Sequence, residues 1–483
     1  MLLSELIRAV SDVRTENFSE CEVTSVTDNS KAVRVGSVFV AKRGANYNGA
    51  DFIPDARERG AGVYVCESKV SVNIDETLII SKNPTKTMAE ISNALFGYNL
   101  SKMKIIGITG TKGKTTTLKI LAQCLTFAKV PLVSISTLGT EFYGTYNKFI
   151  STENTTPEAP FIYETLRNAY NAGIRHAIIE VSSQALANYR VFGIPFTVCI
   201  FTNISEDHIG IGEHKSYREY FEAKRSLFTT YRPAFCIVNA DDPAAEKITS
   251  GAERVIKVGE YSTVFQYKPL FDGDRYVEFS LCGKKFRLSL GGKYNGKNAS
   301  LALAAASLIT GKDVKYFKEC LGNVTVPGRY EVYSLNGIKI IIDFAHNKKS
   351  FEAICESVAG SCNGRLTVLF GSVGERCRAR RPQLAAVAER YADFSVITSD
   401  NPGNEPAERI ALEIYSHFND KSKAKVITDR ERAIYFAISE SSKGDTVLLL
   451  GKGQESYQLI GNEKIPFSEK EILKKLGAEE VRY

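Results

Sequence analysis

Lys114 and Thr115 close a run of spaced glycines, Gly107-Ile-Thr-Gly-Thr-Lys-Gly-Lys-Thr-Thr-Thr117, set between the apolar stretch MKIIGITG and the helical stretch LKILAQCLTFA. Glycines let a backbone fold tightly enough for its N–H groups, with a helix N-terminus behind them, to surround a polyphosphate. The nucleotide-contacting candidates in this loop are Gly110, Thr111, Lys112, Gly113, Lys114, Thr115 and Thr116. Lys114 would neutralise the β- and γ-phosphates of ATP, and the Thr115 hydroxyl would ligate Mg²⁺. The general phosphate-loop pattern asks for glycine five residues before Gly113, where Ile108 stands, so this is a variant loop. A glycine-rich strand-to-helix turn without nucleotide is the bland alternative. On its own the loop points to ATP and leaves the reaction open.

Three further polar residues sit beside apolar runs: Glu180 in HAIIEVSS, His208 in FTNISEDHIG and Lys224 in YREYFEAKRSLF. Taken singly they read as a strand-end carboxylate, a capping or core histidine and a solvated helix lysine. The elements around them are more telling. MKIIGITG, HAIIEVSS, FTVCIFTN and AFCIVNA are buried-type strands separated by helices, which implies a mostly parallel sheet covered on both faces. The alternation restarts with RLTVLFGS, FSVITSD and DTVLLLG, and a smaller α/β pattern precedes it from Val33 to Cys66. The expectation is an α/β chain of three domains: a small one over 1–100, a central phosphate-loop parallel-sheet domain over 101–329 and a Rossmann-like one over 330–483. Residues 252–290 read as β-rich hairpin material between the last two.

A chain of 483 residues is too long for one ordinary core, which fits three domains. The net charge of +7 is small and spread out, which suits anionic small substrates and calls for no nucleic acid. Ten cysteines without a C-x-x-C pair read as reduced, buried thiols. The opening MLLSELIRAVSDVRTENF reads as a short amphipathic helix, since Glu5 and Asp12 interrupt the apolar core of any signal peptide. No stretch is long and apolar enough to span a bilayer. The expectation is a cytoplasmic protein, monomeric and without membrane insertion.

Read onward from the loop, the chain resembles the Mur ligase family over nearly its whole length. NSKAVRVGSVFVAKRG from Asn29 is similar to the uridine-binding segment of the tripeptide-forming members, with Ser30 kept where an Asp-Ser-Arg triplet is usual. NTTPEA, EVSSQAL, FTNISEDHIG, YREYFEAKRSLF, VNADDP, GKYNGKNAS, VPGRYE, IDFAHN, RRP, SDNPG and GKGQE follow in the family's order. The resemblance implies amide formation through an acyl phosphate made with ATP. It implies one Mg²⁺ on Thr115 and Glu180, and a second on His208 and a carbamylated Lys224, sixteen residues later. It implies that Thr155, Thr156, Ser183 and Arg190 grip a UDP-N-acetylmuramoyl-dipeptide, Arg190 through its bidentate fork. It also implies that Asn298, Arg329, Asp343, His346 and Arg376 serve the nucleotide, although the surroundings of Arg376 depart from the usual form.

The incoming amino acid would meet Asp400, Asn401 and Gly403, with Glu455 for its α-amino end. Members that add meso-diaminopimelate usually carry arginine where Gly403 stands, and glycine cannot bind a distal carboxylate. The expectation is therefore L-lysine, added to the D-Glu γ-carboxyl of UDP-N-acetylmuramoyl-L-Ala-D-Glu. The alternatives are a meso-diaminopimelate- or ornithine-adding ligase, with Gly403 a plain turn residue, and a folylpolyglutamate-type ligase. A non-catalytic nucleotide-binding relative is a further one, motivated by Asn29, Gln184 and Gly210 at positions where other residues are usual.

Overall fold

A computed structural model describes the chain except residues 45–46, 145–146, 153, 208, 211–212, 376–377 and 482–483. The roles expected of His208 and Arg376 fall outside the described residues. The first unit is a five-stranded sheet in the order Val13–Glu16, Thr77–Ser81, Val63–Cys66, Ser37–Val40, Ser25–Thr27. All neighbours are parallel except the Val13–Glu16 edge. The opening helix is shorter than its sequence pattern suggests, Leu3–Arg8, because the chain turns at Asp12 (φ 53°) to enter that edge strand.

The second unit carries eleven strands around a parallel centre. Lys104–Thr109 lies between His176–Glu180 on one side and Phe196–Phe201 on the other. Every residue of Leu132–Ser136 is buried, as continuous apolar runs require when helices cover both faces. The 252–290 segment does not stand apart. Val255–Gly259 and Phe265–Asp272 extend the parallel sheet, and Val277–Leu281 and Lys284–Leu288 finish it antiparallel. The alanine-rich helix Lys293–Thr310 stops at Gly311, whose φ of 70° supplies the left-handed cap. It packs along the phosphate-loop helix Lys114–Phe127.

The third unit is a seven-stranded sheet in which Ala424–Val426, Phe394–Ile397, Leu366–Phe370, Thr446–Leu450 and Ile338–Asp343 are parallel. One apolar cluster runs from Ile106 and Leu118 through Leu290, Val326 and Tyr330 to Phe351 and Leu448, so the second and third units share a core. The fold is the three-unit α/β arrangement expected. Among the described residues no helix is long and apolar enough to cross a membrane.

Candidate active site

The phosphate loop leaves the sheet where the neighbouring connections diverge, the usual ligand position of an open parallel sheet. Two of its glycines are obligatory. A Cβ on Gly110 (φ 151°) would sit 2.0 Å from Thr202 Oγ1, and one on Gly113 (φ 83°) would sit 2.3 Å from Asn298 Oδ1. Asn203 clasps the loop from the adjoining strand end: its Oδ1 accepts from Lys112 N at 3.0 Å and its Nδ2 donates to Lys112 O at 2.9 Å. Lys114 Nζ donates to the Gly110 and Thr111 carbonyls, both at 3.0 Å, so the ammonium is folded over the loop.

A buried carboxylate faces that ammonium. Glu180 ends its strand 2% exposed and accepts from Thr115 Oγ1 at 2.9 Å, from Thr137 N at 3.1 Å and from Thr137 Oγ1 at 3.2 Å. Thr137 Oγ1 also reaches Thr155 Oγ1 at 3.0 Å, and Thr156 Oγ1 donates to Glu180 O at 2.7 Å. Hard oxygen donors from Thr115 and Glu180 at one point suit Mg²⁺, with the rest of its shell coming from phosphate and water. Lys224 is 1% exposed and donates to Gly110 O at 2.9 Å. Burial, reinforced by the Lys114 charge, pushes its pKa well below the usual lysine range. The helix-face reading of Lys224 is thus replaced by a buried amine beside the phosphate loop.

The third unit closes the site from above. Asp343 accepts from Tyr330 N at 2.9 Å and Ala345 N at 2.8 Å, and it shapes the turn that presents His346. His346 Nδ1 donates to Phe344 O at 2.7 Å, which leaves the Nε2 lone pair to accept from Lys112 Nζ at 3.2 Å. Burial holds this imidazole neutral, with its pKa well below the ordinary value. Arg329 donates to Gln454 Oε1 at 2.6 Å and stacks on Phe344. Asp207 draws the units together: Arg380 and Asn347 of the third unit donate to its carboxylate, and Lys112 lies 3.5 Å away.

Burial lowers the Lys112 pKa to about 8. Above that pH the side chain is neutral in the free enzyme, and a polyphosphate favours its charged form. Nucleotide binding at pH 8.5 is therefore expected to take up roughly half a proton or more, with affinity falling as pH rises. Calorimetry of ADP binding in buffers of different ionisation heat reads this directly. Lys112→Met should reduce the uptake, and an unchanged value would show that Lys112 does not meet the phosphates.

At the far end of the site, Asn401 Nδ2 donates to Glu455 Oε2 at 2.9 Å, and the buried Lys452 ammonium holds Glu455 (2.6 Å) and Asn401 Oδ1 (2.9 Å). Asp400 is buried against Gly451, where a Cβ would come within 2.7 Å of its Oδ2. Gly403 has φ 58°, and a Cβ there would lie 2.6 Å from Glu375 Oε2. Glu375 itself has φ 57° and accepts from Asn404 Nδ2 at 3.1 Å. The Arg381 guanidinium, buried beside this turn, holds Glu405 down at about 2.

One cavity of about 1090 Å³ collects these groups. Lys112 to Thr116, Thr155, Thr156, Glu180, Ser183, Arg190, Lys224, Asn298, Arg329, Asp343, His346, Asp400, Asn401, Gly403 and Glu455 all line it. Gly110 shapes the loop without lining the cavity, and Ser30 lies on the first unit, buried beside Asp55 and away from it. Sequence reasoning missed Thr137, Asn203, Asp207, Glu375 and Lys452. Asp207 and Lys452 stood inside quoted motifs, and Thr137 had no signal of its own.

Three family profiles match the chain in order: "Mur ligase family, catalytic domain" over 22–96, "Mur ligase middle domain" over 108–306 and "Mur ligase, glutamate ligase domain" over 328–453. A UDP-N-acetylmuramoyl-L-alanyl-D-glutamate--2,6-diaminopimelate ligase of Aquifex aeolicus is 35% identical over 94% of this chain and 93% of its own. The chain belongs to the Mur ligase family. A ligase of the same name from Trichormus variabilis is 36% identical over 98% of both chains. Among solved structures, another ligase of that name superimposes with TM-score 0.63 at 23% identity, covering 94% of each chain. A MurF ligase from Thermotoga maritima in complex with ADP does so with TM-score 0.62 at 20% identity, over 89% of this chain and 94% of that one. The Mur ligase described here is accordingly an ATP-dependent acid–amino-acid ligase.

Proposed function

We propose that this Mur ligase adds a diamino acid to the D-Glu carboxyl of UDP-N-acetylmuramoyl-L-Ala-D-Glu, in peptidoglycan precursor synthesis. The observation that carries the reading is the convergence of Lys114, Glu180 and Lys224 on one wall of the cavity with Asn401 and Glu455 on the other. The acceptor carboxylate attacks the γ-phosphorus of ATP, ADP departs, and an acyl phosphate forms. The amine then attacks the acyl carbon, phosphate leaves, and the nitrogen sheds a proton. Lys112 and Lys114 face the phosphate chain, the Arg190 fork orients the carboxylate, and closure of the third unit excludes water and brings the amine. Glu180 and Thr115 would hold Mg²⁺, which neutralises phosphate charge when bound. Lys224 meets the requirement for carbamylation: a neutral amine adds to CO₂, the N–C bond forms as a proton leaves, and an anion replaces a cation.

The names of the two relatives, which specify 2,6-diaminopimelate, support diaminopimelate as the amino acid over the lysine expected from Gly403. A second reading, lysine or ornithine, is favoured by one feature: the place of the distal-carboxylate arginine is filled by the Glu375 carboxylate, which attracts an ammonium. A competition assay decides between them. With ATP, Mg²⁺ and the UDP-dipeptide, the three amino acids are offered together and products are weighed. The diaminopimelate adduct is expected to dominate. A lysine or ornithine adduct moves the assignment to the second reading, and no adduct with any of them overturns the function.

A further inference from the structure

Four charged side chains of alternating sign run across the boundary between the first and second units. Lys42 Nζ lies 2.5 Å from Asp28 Oδ2 within the first unit, and 3.3 Å from Glu158 Oε2 in the second. The other oxygen of Glu158 holds Arg190 Nη2 at 2.9 Å, while Arg190 Nη1 donates to Thr156 O at 2.9 Å. All four are largely shielded, with side-chain exposures between 17% and 24%. Each interior ion has a counter-ion on both sides, which offsets the cost of removing it from water.

The ends of the chain matter. Asp28 immediately precedes the Asn29-Ser30-Lys31 segment, and Asn29 caps the short turn that carries Ser30. Arg190 lines the cavity, and its Nε is buried with no hydrogen-bond partner among the described residues. Nη1 and Nη2 each direct one N–H at these partners, which fixes the plane of the guanidinium, and the Nε–H and the second hydrogens of both Nη atoms remain for an acceptor. Glu158 divides its two oxygens between the units. A shift of Lys42 with the first unit therefore moves the carboxylate that sets the guanidinium plane.

We propose that Glu158 is a positioning residue which, through Lys42, couples the uridine-binding segment to the Arg190 fork, so that the nucleotide end of the precursor sets the geometry of its reacting carboxylate. The inference rests on the proposed function. It gives the remote nucleotide a share in kcat, the usual consequence when binding energy far from the reacting bond is used for orientation.

The test compares UDP-N-acetylmuramoyl-L-Ala-D-Glu with the same muramoyl-dipeptide lacking the nucleotide, using the full-length enzyme and its Lys42→Met, Lys42→Arg and Glu158→Gln variants. Lys42→Met should lower kcat for the UDP precursor about tenfold with its KM little changed, and kcat for the truncated substrate less than about twofold, with the ATP KM unmoved. Lys42→Arg should restore the difference. Glu158→Gln should weaken both substrates, because Arg190 itself is then loosened. Equal losses of Lys42→Met on both substrates, or none on either, overturn the coupling and leave the ligase reading intact. A parent enzyme inert towards the UDP precursor with every diamino acid overturns that reading and the coupling with it. Matching melting temperatures guard against simple misfolding.

Discussion

Lys224→Ala is expected to lower kcat about a thousandfold while leaving the fold intact, and short-chain carboxylates such as formate are expected to restore part of it. The amine is 1% exposed, lies beside two other lysines, and has its pKa pushed well below the usual lysine range by burial and by the Lys114 charge. A permanent cation there would add to the Lys112 and Lys114 charges, whereas a carbamate opposes them. The loss should therefore track the missing carboxylate and not the missing hydrogen bond to Gly110 O. Formate supplies that carboxylate without the stem. The same logic predicts that the parent enzyme loses activity when CO₂ and bicarbonate are stripped from the buffer and regains it on their return. Full activity of the alanine variant, or no response to carboxylates or bicarbonate, would remove the carbamate from the mechanism.

Glu180→Gln should be comparably severe, about a thousandfold in kcat, with a higher Mg²⁺ requirement. The amide keeps the shape and can still accept from Thr115 Oγ1 and Thr137 N through its carbonyl oxygen. It loses one acceptor and the negative charge that faces Lys114 and Lys224. Binding of UDP-dipeptide should change little if, as proposed, its grip lies with Arg190, Thr156 and Ser183, which line the same cavity. The measurement is a Mg²⁺ titration of initial rate alongside thermal melts of both proteins. Unaltered Mg²⁺ dependence would assign Glu180 to the architecture of the strand end and not to the metal.

Much of this site was legible because its chemistry depends on local runs of sequence. The strand-glycine-lysine-threonine order is a pattern of chain neighbours that suggests a phosphate loop, whereas the reason no side chain fits at Gly110 and Gly113, the approach of Thr202 and Asn298, comes from distant segments. The strands HAIIE and FTVCIF announced themselves by continuous apolar character, so the position of Glu180 at a strand end followed. The hairpin region was harder. Its alternating pattern marks strands without saying which sheet they join, and the edge of the parallel sheet was open to receive them. Gly403 shows the limit most plainly. Sequence registers the missing arginine, but not that Glu375, twenty-eight residues earlier, occupies the space.

The sequence by itself determined the α/β alternation, the phosphate loop and the family, since these rest on periodicity and on short motifs whose residues are neighbours along the chain. Only the tertiary structure decided that Lys224 is a buried, weakly basic amine, that Asp207 joins the second and third units, and that Asp28, Lys42, Glu158 and Arg190 form one line of charge. Burial and pairing belong to groups brought together from distant segments. Their energies depend on the dielectric and counter-ions around each atom, which no single stretch of residues specifies.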